Sequence, residues 1–373
     1  MNQGSRRTDV EDIIYLLRCA VTETVPEKEK VCSINLDEIC RIAREHTVAS
    51  AVGMALESAG VKDDRFVKAV ASAQRKNALL DADRAAVIAK MEEAGIWYMP
   101  LKGAVLKELY PRYGMREMAD NDILFDKSRG AELREIMLEL GFTVEEYDRG
   151  NHDIYYKKPV SNFEMHKELF SELGNKKLYI YYANVKDRLI RDDEKQYEYH
   201  FTDEDFYLYI TAHDYKHYSL SGAGLRSLMD TYVYLKHKPL DMEYVVREAK
   251  KIGIADFERQ NRELALHLFE GQELTHTERE MLDYIISSGT YGNLEQYVAN
   301  AVQEKGKWGY FLSRLTLPRE LMEILFPILK KAPFLYPFCW VLRIVRGLIF
   351  SNRKARGEIK GALGLNRGKV RPK

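Results

Sequence analysis

Three acidic residues in two separate stretches have the spacing that metal chemistry needs: Asp120 and Asp122 in ADNDILFD, and Glu164 in NFEMHKEL. NDILFD alternates as a strand does, so Asp120, Asp122 and Leu124 share one face while Ile123 and Phe125 turn to the other. Two carboxylates at i and i+2 on a strand end repel each other unless a proton or a hard cation lies between them. In NFEMHKEL the same alternation groups Asn162, Glu164 and His166, with Phe163 and Met165 behind them. A third carboxylate on a neighbouring strand would complete a two-metal clamp, so Asp120, Asp122 and Glu164 are the expected ligands of Mg²⁺ (or Mn²⁺). His166 reads either as a satisfied core histidine or as the partner that orients Glu164.

Upstream, Leu101-Lys102-Gly103 closes the apolar run IWYMPL and opens AVLKELY. A glycine at a strand-to-helix turn lets the backbone approach a ligand, and a helix start offers free N–H groups to phosphate. Lys102 adds a point charge there, and Arg116, in the loop just before the acids, suits a triphosphate clamp.

The elements around these residues are legible as pattern. Residues 1–94 read as a helical N-terminal domain, with Leu79, Ala82, Ala86 and Ala89 as one helical stripe and LDEICRIAREHTVASAVGMALESAG as a helix ending at Gly60. His46 within it reads as a surface or capping residue. Residues 95–200 read as an α/β core: strand IWYMPL, helix AVLKELYP, strand NDILFD and an amphipathic helix through Leu133, Ile136, Met137 and Leu140 closed by Gly141. Strands FTVEEYD, HDIYYKK and NFEMHKE follow, turning at Arg149-Gly150 and Pro159. The expectation is a small mixed sheet with helices on one face. Residues 201–320 return to helix, with Thr202 as N-cap ahead of Asp205 and a second stripe through Leu225, Leu228, Met229, Tyr232 and Leu235.

The order of Lys102-Gly103, Arg116, Asp120-x-Asp122 and Glu164-x-His166 resembles the DNA-polymerase-β-like nucleotidyltransferase superfamily. It is most similar to a poorly characterised bacterial branch with an LKG turn, an Arg before the paired acids and an acid-x-His strand. The likeness covers about residues 95–170. It implies an α+β fold: a polymerase-β-like nucleotidyltransferase core flanked by N- and C-terminal helical domains. It also implies transfer of a nucleoside monophosphate from an NTP to a small-molecule or macromolecular acceptor. Asp120, Asp122 and Glu164 would be catalytic, and Lys102, Gly103, Arg116 and His166 would bind the nucleotide. Ala104, where the superfamily has Gly or Ser, and Glu164, where it has Asp, motivate an alternative: a non-catalytic nucleotide-binding or partner module. A further alternative is an HD-type metal phosphohydrolase on His213, Asp214 and Asp230, although Asp230 also suits a pair with Arg226.

Composition sets broad limits. Lys+Arg and Asp+Glu both number 57, so net charge favours no partner and gives no strong nucleic-acid signal. Cys19, Cys32, Cys40 and Cys339 form no CxxC pair and read as reduced thiols. With a polar N-terminus lacking an apolar signal core, this suggests the cytoplasm. Residues 321–373 change character. FPILKKAPFLYPFCWVLRIVRGLIF is apolar, interrupted by Pro333 and Pro337, and its longest uncharged run, Ala332–Leu342, is well short of the roughly 20 residues that span a bilayer. The expectation is a helix packed on its own protein, with a membrane-surface or protein contact through 321–350 as the second reading. The basic end, SNRKARGEIKGALGLNRGKVRPK, reads as a solvated tail.

Overall fold

The computed structural model describes residues 3–350, apart from 173, 221, 291–296, 299, 304, 305, 307, 310–315 and 318. The chain forms two compact units: Met1–Lys216 with Gly224–Arg279, and His217–Ala223 with Glu280–Lys373. Positions 94 and 200, expected as domain boundaries, both fall inside the first unit.

The first unit begins with helices α1 (Gln3–Val21), α2 (Lys28–Ser33), α3 (Leu36–Glu45), α4 (Ala49–Ser58) and α5 (Asp64–Ala94). The single helix expected to end at Gly60 is thus two, broken between Glu45 and Ala49. His46 lies at the break as the C-cap of α3, fully buried rather than on the surface, with Nδ1 3.2 Å from the Leu225 amide. The Asp63 carboxylate caps the start of α5, and Gly95, at φ +68°, ends it. The buried face of α5 is Ala73, Asn77, Leu80, Val87 and Met91, not the stripe through Leu79, Ala82, Ala86 and Ala89. The alanines bury little apolar area, whereas two polar side chains on the other side have partners: Asn77 donates to the Arg116 carbonyl and Arg84 to Asn121 Oδ1.

The sheet has five strands: β1 (Tyr98–Pro100), β2 (Asn121–Phe125), β3 (Thr143–Glu146), β4 (His152–Lys157) and β5 (Ser161–His166), in the order β1-β2-β5-β4-β3. β2 and β5 run parallel and every other pairing is antiparallel. Alternation sends Tyr98, Ile123, Phe125, Tyr155, Phe163 and Met165 to one core, with Val87 and Met91 of α5 and with Leu133, Ile136 and Met137 of α7 (Gly130–Glu139). Met99 and Leu124 enter a second core on the opposite face. There they meet α8 (Lys176–Tyr182), α9 (Asp203–Leu220), α10 (Leu225–His237) and α11 (Met242–Ile252). Helices therefore cover both faces, not one, because all five residues of β2 are buried and each face needs a partner. Thr202 Oγ1 accepts the Asp205 amide, as expected of an N-cap.

The helix expected through AVLKELY shortens to one α turn, α6 (Gly103–Leu106), and one 3₁₀ turn, Lys107–Leu109. Two long-range contacts pull its end aside: Lys107 Nζ reaches Asp81 at 2.9 Å and the Tyr110 hydroxyl reaches Asp230 at 2.7 Å.

In the second unit, the Tyr284 hydroxyl donates to the Tyr218 carbonyl and Asn300 donates to the Tyr284 hydroxyl. Met322, Leu329 and Cys339 form a small core with Phe326, Tyr336 and Trp340 around it. Pro337 opens the helix Tyr336–Phe350 rather than interrupting it, as a first-turn proline can. Phe334, Phe338, Val341, Leu342 and Val345 lie outside that core and are exposed, Phe334 by 80%. Among the described residues no helix is long and apolar enough to cross a membrane. The basic end, 351–373, lies outside the described residues.

Candidate active site

The parallel pairing of β2 with β5 sets Asp122 opposite Glu164 and Leu124 opposite His166. Antiparallel β4 adds His152 opposite His166, their ring centroids 5.1 Å apart. Among the described residues, one group of three metal-ligating side chains brings its ligand atoms within 4.8 Å of one another: Asp122, Glu164 and His166. Asp120 stands just before β2, outside that group yet close enough to feel the charges of Asp122 and Glu164.

The four side chains differ in how they are compensated. Asp122 Oδ1 accepts from Lys102 Nζ at 2.7 Å and lies 2.8 Å from His166 Nε2. Burial opposes its ionisation, but Lys102 and His166 outweigh burial and hold this carboxyl far below the usual carboxylate range. Lys102 mirrors it: burial works against the ammonium, and Asp122 keeps it charged beyond the ordinary lysine range. Among the described residues Asp120 makes no hydrogen bond or ion pair. Burial first, then the neighbouring charges of Asp122 and Glu164, push it up to about 7. Glu164 is pushed up by burial and by Asp122, with the His166 and His152 nitrogens at 3.6 and 3.9 Å. Burial lowers His166 to about 4, so the ring is neutral near pH 7. Its Nδ1 is buried without a partner, which places the proton on Nε2, facing Asp122 and Glu164. Asp120 and Glu164, without a hydrogen-bonded cation, beside Asp122, which has one, form an oxygen-donor set short of positive charge. That donor set could hold a hard divalent cation: Asp122, Glu164 and His166 gather their ligand atoms, and Asp120 stands beside them.

Lys102 reaches Asp122 from a strained backbone. At φ +45°, ψ −114° it takes the first central position of a tight turn, closed by the Ala104 amide on the Leu101 carbonyl. Glycine takes that conformation freely, whereas a side chain there costs about 1–3 kcal/mol. Gly103 follows, and its missing side chain has a steric reason. A Cβ there would lie 2.4 Å from Arg116 Nη1 and 2.6 Å from Met118 Sδ. The amides of Ala104, Val105 and Leu106 are already bonded to the carbonyls of Leu101 and Lys102.

Arg116 is buried, and its guanidinium grips Asp230 of α10 through Nε at 2.7 Å and Nη2 at 2.8 Å, with Tyr110 as third partner of that carboxylate. Asp230 therefore pairs with Arg116, not with Arg226. His213, Asp214 and Asp230 do not gather their ligand atoms into a metal group among the described residues.

His152 and Lys76 escaped the sequence reading, and Arg226 and Asp214 entered it only in other roles. His152 was within reach of it, since HDIYYK alternates onto the His166 face. Lys76 on α5 and Arg226 on α10 were not, because nothing local ties them to Asp120. Asp214 on α9 makes no hydrogen bond or ion pair among the described residues. Burial and Asp230 raise it to about 7, against the charges of Arg226, Arg116 and Lys102.

Acids on adjacent parallel strands and a lysine on the turn after β1 are the arrangement expected above of a nucleotidyltransferase. The comparison of sequences agrees: the chain belongs to the family described as uncharacterised nucleotidyltransferase, whose model matches residues 33–270. No curated protein and no solved structure matches it.

Proposed function

We propose that this chain is a Mg²⁺-dependent nucleotidyltransferase that moves a nucleoside monophosphate from an NTP to a hydroxyl or phosphate acceptor. The acceptor oxygen bonds to the α-phosphorus, the α–β bridging bond breaks, and pyrophosphate leaves with the electron pair. The observation that supports this most is the pairing of Asp122 with Glu164 across two parallel strands, with Asp120 uncompensated beside them. Asp120, Asp122 and Glu164 would hold Mg²⁺, which would neutralise charge building on the phosphoryl oxygens in flight. Glu164 takes the proton of the acceptor hydroxyl, and its raised pKa suits that task. His166, neutral and donating through Nε2, fixes the acids.

Asp120→Asn and Asp122→Asn test this. Each should lower metal-dependent pyrophosphate release, measured across a panel of acceptors, by roughly a hundredfold or more while the circular dichroism spectrum is kept. Unchanged release in both variants would refute the site. A second reading, a non-catalytic nucleotide-binding or partner module, is supported by Lys102 and His166 both occupying Asp122 Oδ1. NTP binding without pyrophosphate release from any acceptor would favour it.

A further inference from the structure

If the acids hold a metal–nucleotide, its phosphates need cations, and two obvious ones are already engaged. Lys102 is bonded to Asp122, and Arg116 gives Nε and Nη2 to Asp230 while Nη1 rests on Met118 Sδ. The loop that carries Arg116 and Glu117 toward Asp120 is held from two sides. On one side α5 contacts it: Gln74 donates to the Tyr113 carbonyl, Asn77 to the Arg116 carbonyl, and Asn121 returns a bond to Leu80. On the other side is α10, where Arg226 Nη1 donates to the Glu117 carbonyl at 3.3 Å and Asp230 holds Arg116. Lys76, next to Asn77 on α5 and close enough to feel the charges of Asp120 and Glu117, and Arg226, in the first turn of α10, are therefore two cations beside the loop that leads to Asp120.

Neither cation has an acid partner. Among the described residues Lys76 makes no hydrogen bond or ion pair, and the Glu117 carbonyl is the one hydrogen-bond partner of Arg226. Both are half-buried. A solvated surface charge costs nothing to leave alone, but a half-buried cation without a counter-ion does. Burial lowers the Lys76 pKa despite Asp120 and Glu117 nearby, the mark of a desolvated ammonium.

We propose that Lys76 and Arg226 form the subsite for the β- and γ-phosphates of the nucleotide, one cation from the N-terminal helices and one from the helices after the sheet. This rests on the nucleotidyltransferase reading and names the residues that would grip its substrate. A magnesium–triphosphate carries about two net negative charges, which these two cations match. It also gives the N-terminal helices a part in substrate binding.

The experiment is calorimetric titration of the full chain with magnesium tripolyphosphate, with the magnesium complexes of the four common NTPs, and with the corresponding monophosphates. Wild-type protein should bind tripolyphosphate and at least one NTP. Lys76→Met and Arg226→Met should each weaken both by about tenfold or more, while monophosphate binding changes less than twofold. Lys76→Arg, which keeps the charge, should recover most of the loss. Variants that bind tripolyphosphate within twofold of wild type overturn this subsite and leave the wider reading standing. So does a Lys76→Arg protein as weak as Lys76→Met. Wild-type protein that binds no NTP and no tripolyphosphate overturns the wider reading, and the subsite with it.

Discussion

At the scale of single residues, the distribution of charge separates groups with a structural partner from groups without one. Asp214 belongs to the second kind: it faces Asp230, Arg226, Arg116 and Lys102 without bonding to any of them. Its folded pKa, about 7, lies above the unfolded value of about 3.9. The folded state thus holds the proton more tightly, and stability is lost as pH rises between those two values. Asp214→Asn, which cannot ionise, should therefore stabilise the protein more at pH 8 than at pH 5, by on the order of 2 kcal/mol in urea denaturation. A gain independent of pH would show that Asp214 is not strained by its charge. The same scale shows what the sequence carried. Asp122, Glu164 and His166 could be placed together because strand alternation is a local rule with a period of two. The partner of Arg116 could not, because Asp230 lies 114 positions away and only packing brings it there.

At the scale of elements, the sheet strands and α7 were legible and the helix faces less so. β2 through β5 coincide with alternating runs, and α7 ends at Gly141, which takes φ +83°. Helix α5 was visible as a helix but was turned the wrong way. Its buried side includes Asn77 and a half-buried Arg84 whose value lies in partners supplied by other segments. The Arg116–Asp230 pair ties the loop before β2 to α10, and it sits over Gly103. Asp230→Leu alone should cost about 3–5 kcal/mol in equilibrium unfolding, since it leaves a buried guanidinium unpaired. The double variant Arg116→Met/Asp230→Leu should recover most of that. Equal losses in the single and double variants would mean that Arg116 is accommodated in some other way.

At the scale of the whole molecule, every candidate site residue and the matched family region apart from 217–223 lie in the first unit, whereas the second carries an exposed apolar stripe near its end. Phe334, Phe338, Val341, Leu342 and Val345 recur at helical spacing on one exposed side, near the exposed Lys330 and Lys331. The following 23 residues hold one acid, Glu358, among many bases. An apolar strip with lysines nearby is the composition that an anionic membrane surface attracts. The full chain should co-sediment with vesicles containing phosphatidylglycerol and not with purely zwitterionic ones, and Phe334→Ser/Phe338→Ser should reduce that. Failure to sediment with either, or no effect of the substitutions, removes the assignment.

A last consequence follows from the single oxygen of Asp122 that serves both Lys102 and His166. A bare ion arriving at this pocket would meet a carboxylate already charge-paired with an ammonium. An ion chelated by a nucleotide brings a new anchor for the lysine in the same event. Cargo and counter-ion would therefore load as one package, and the vacant protein would be a poor scavenger of free magnesium.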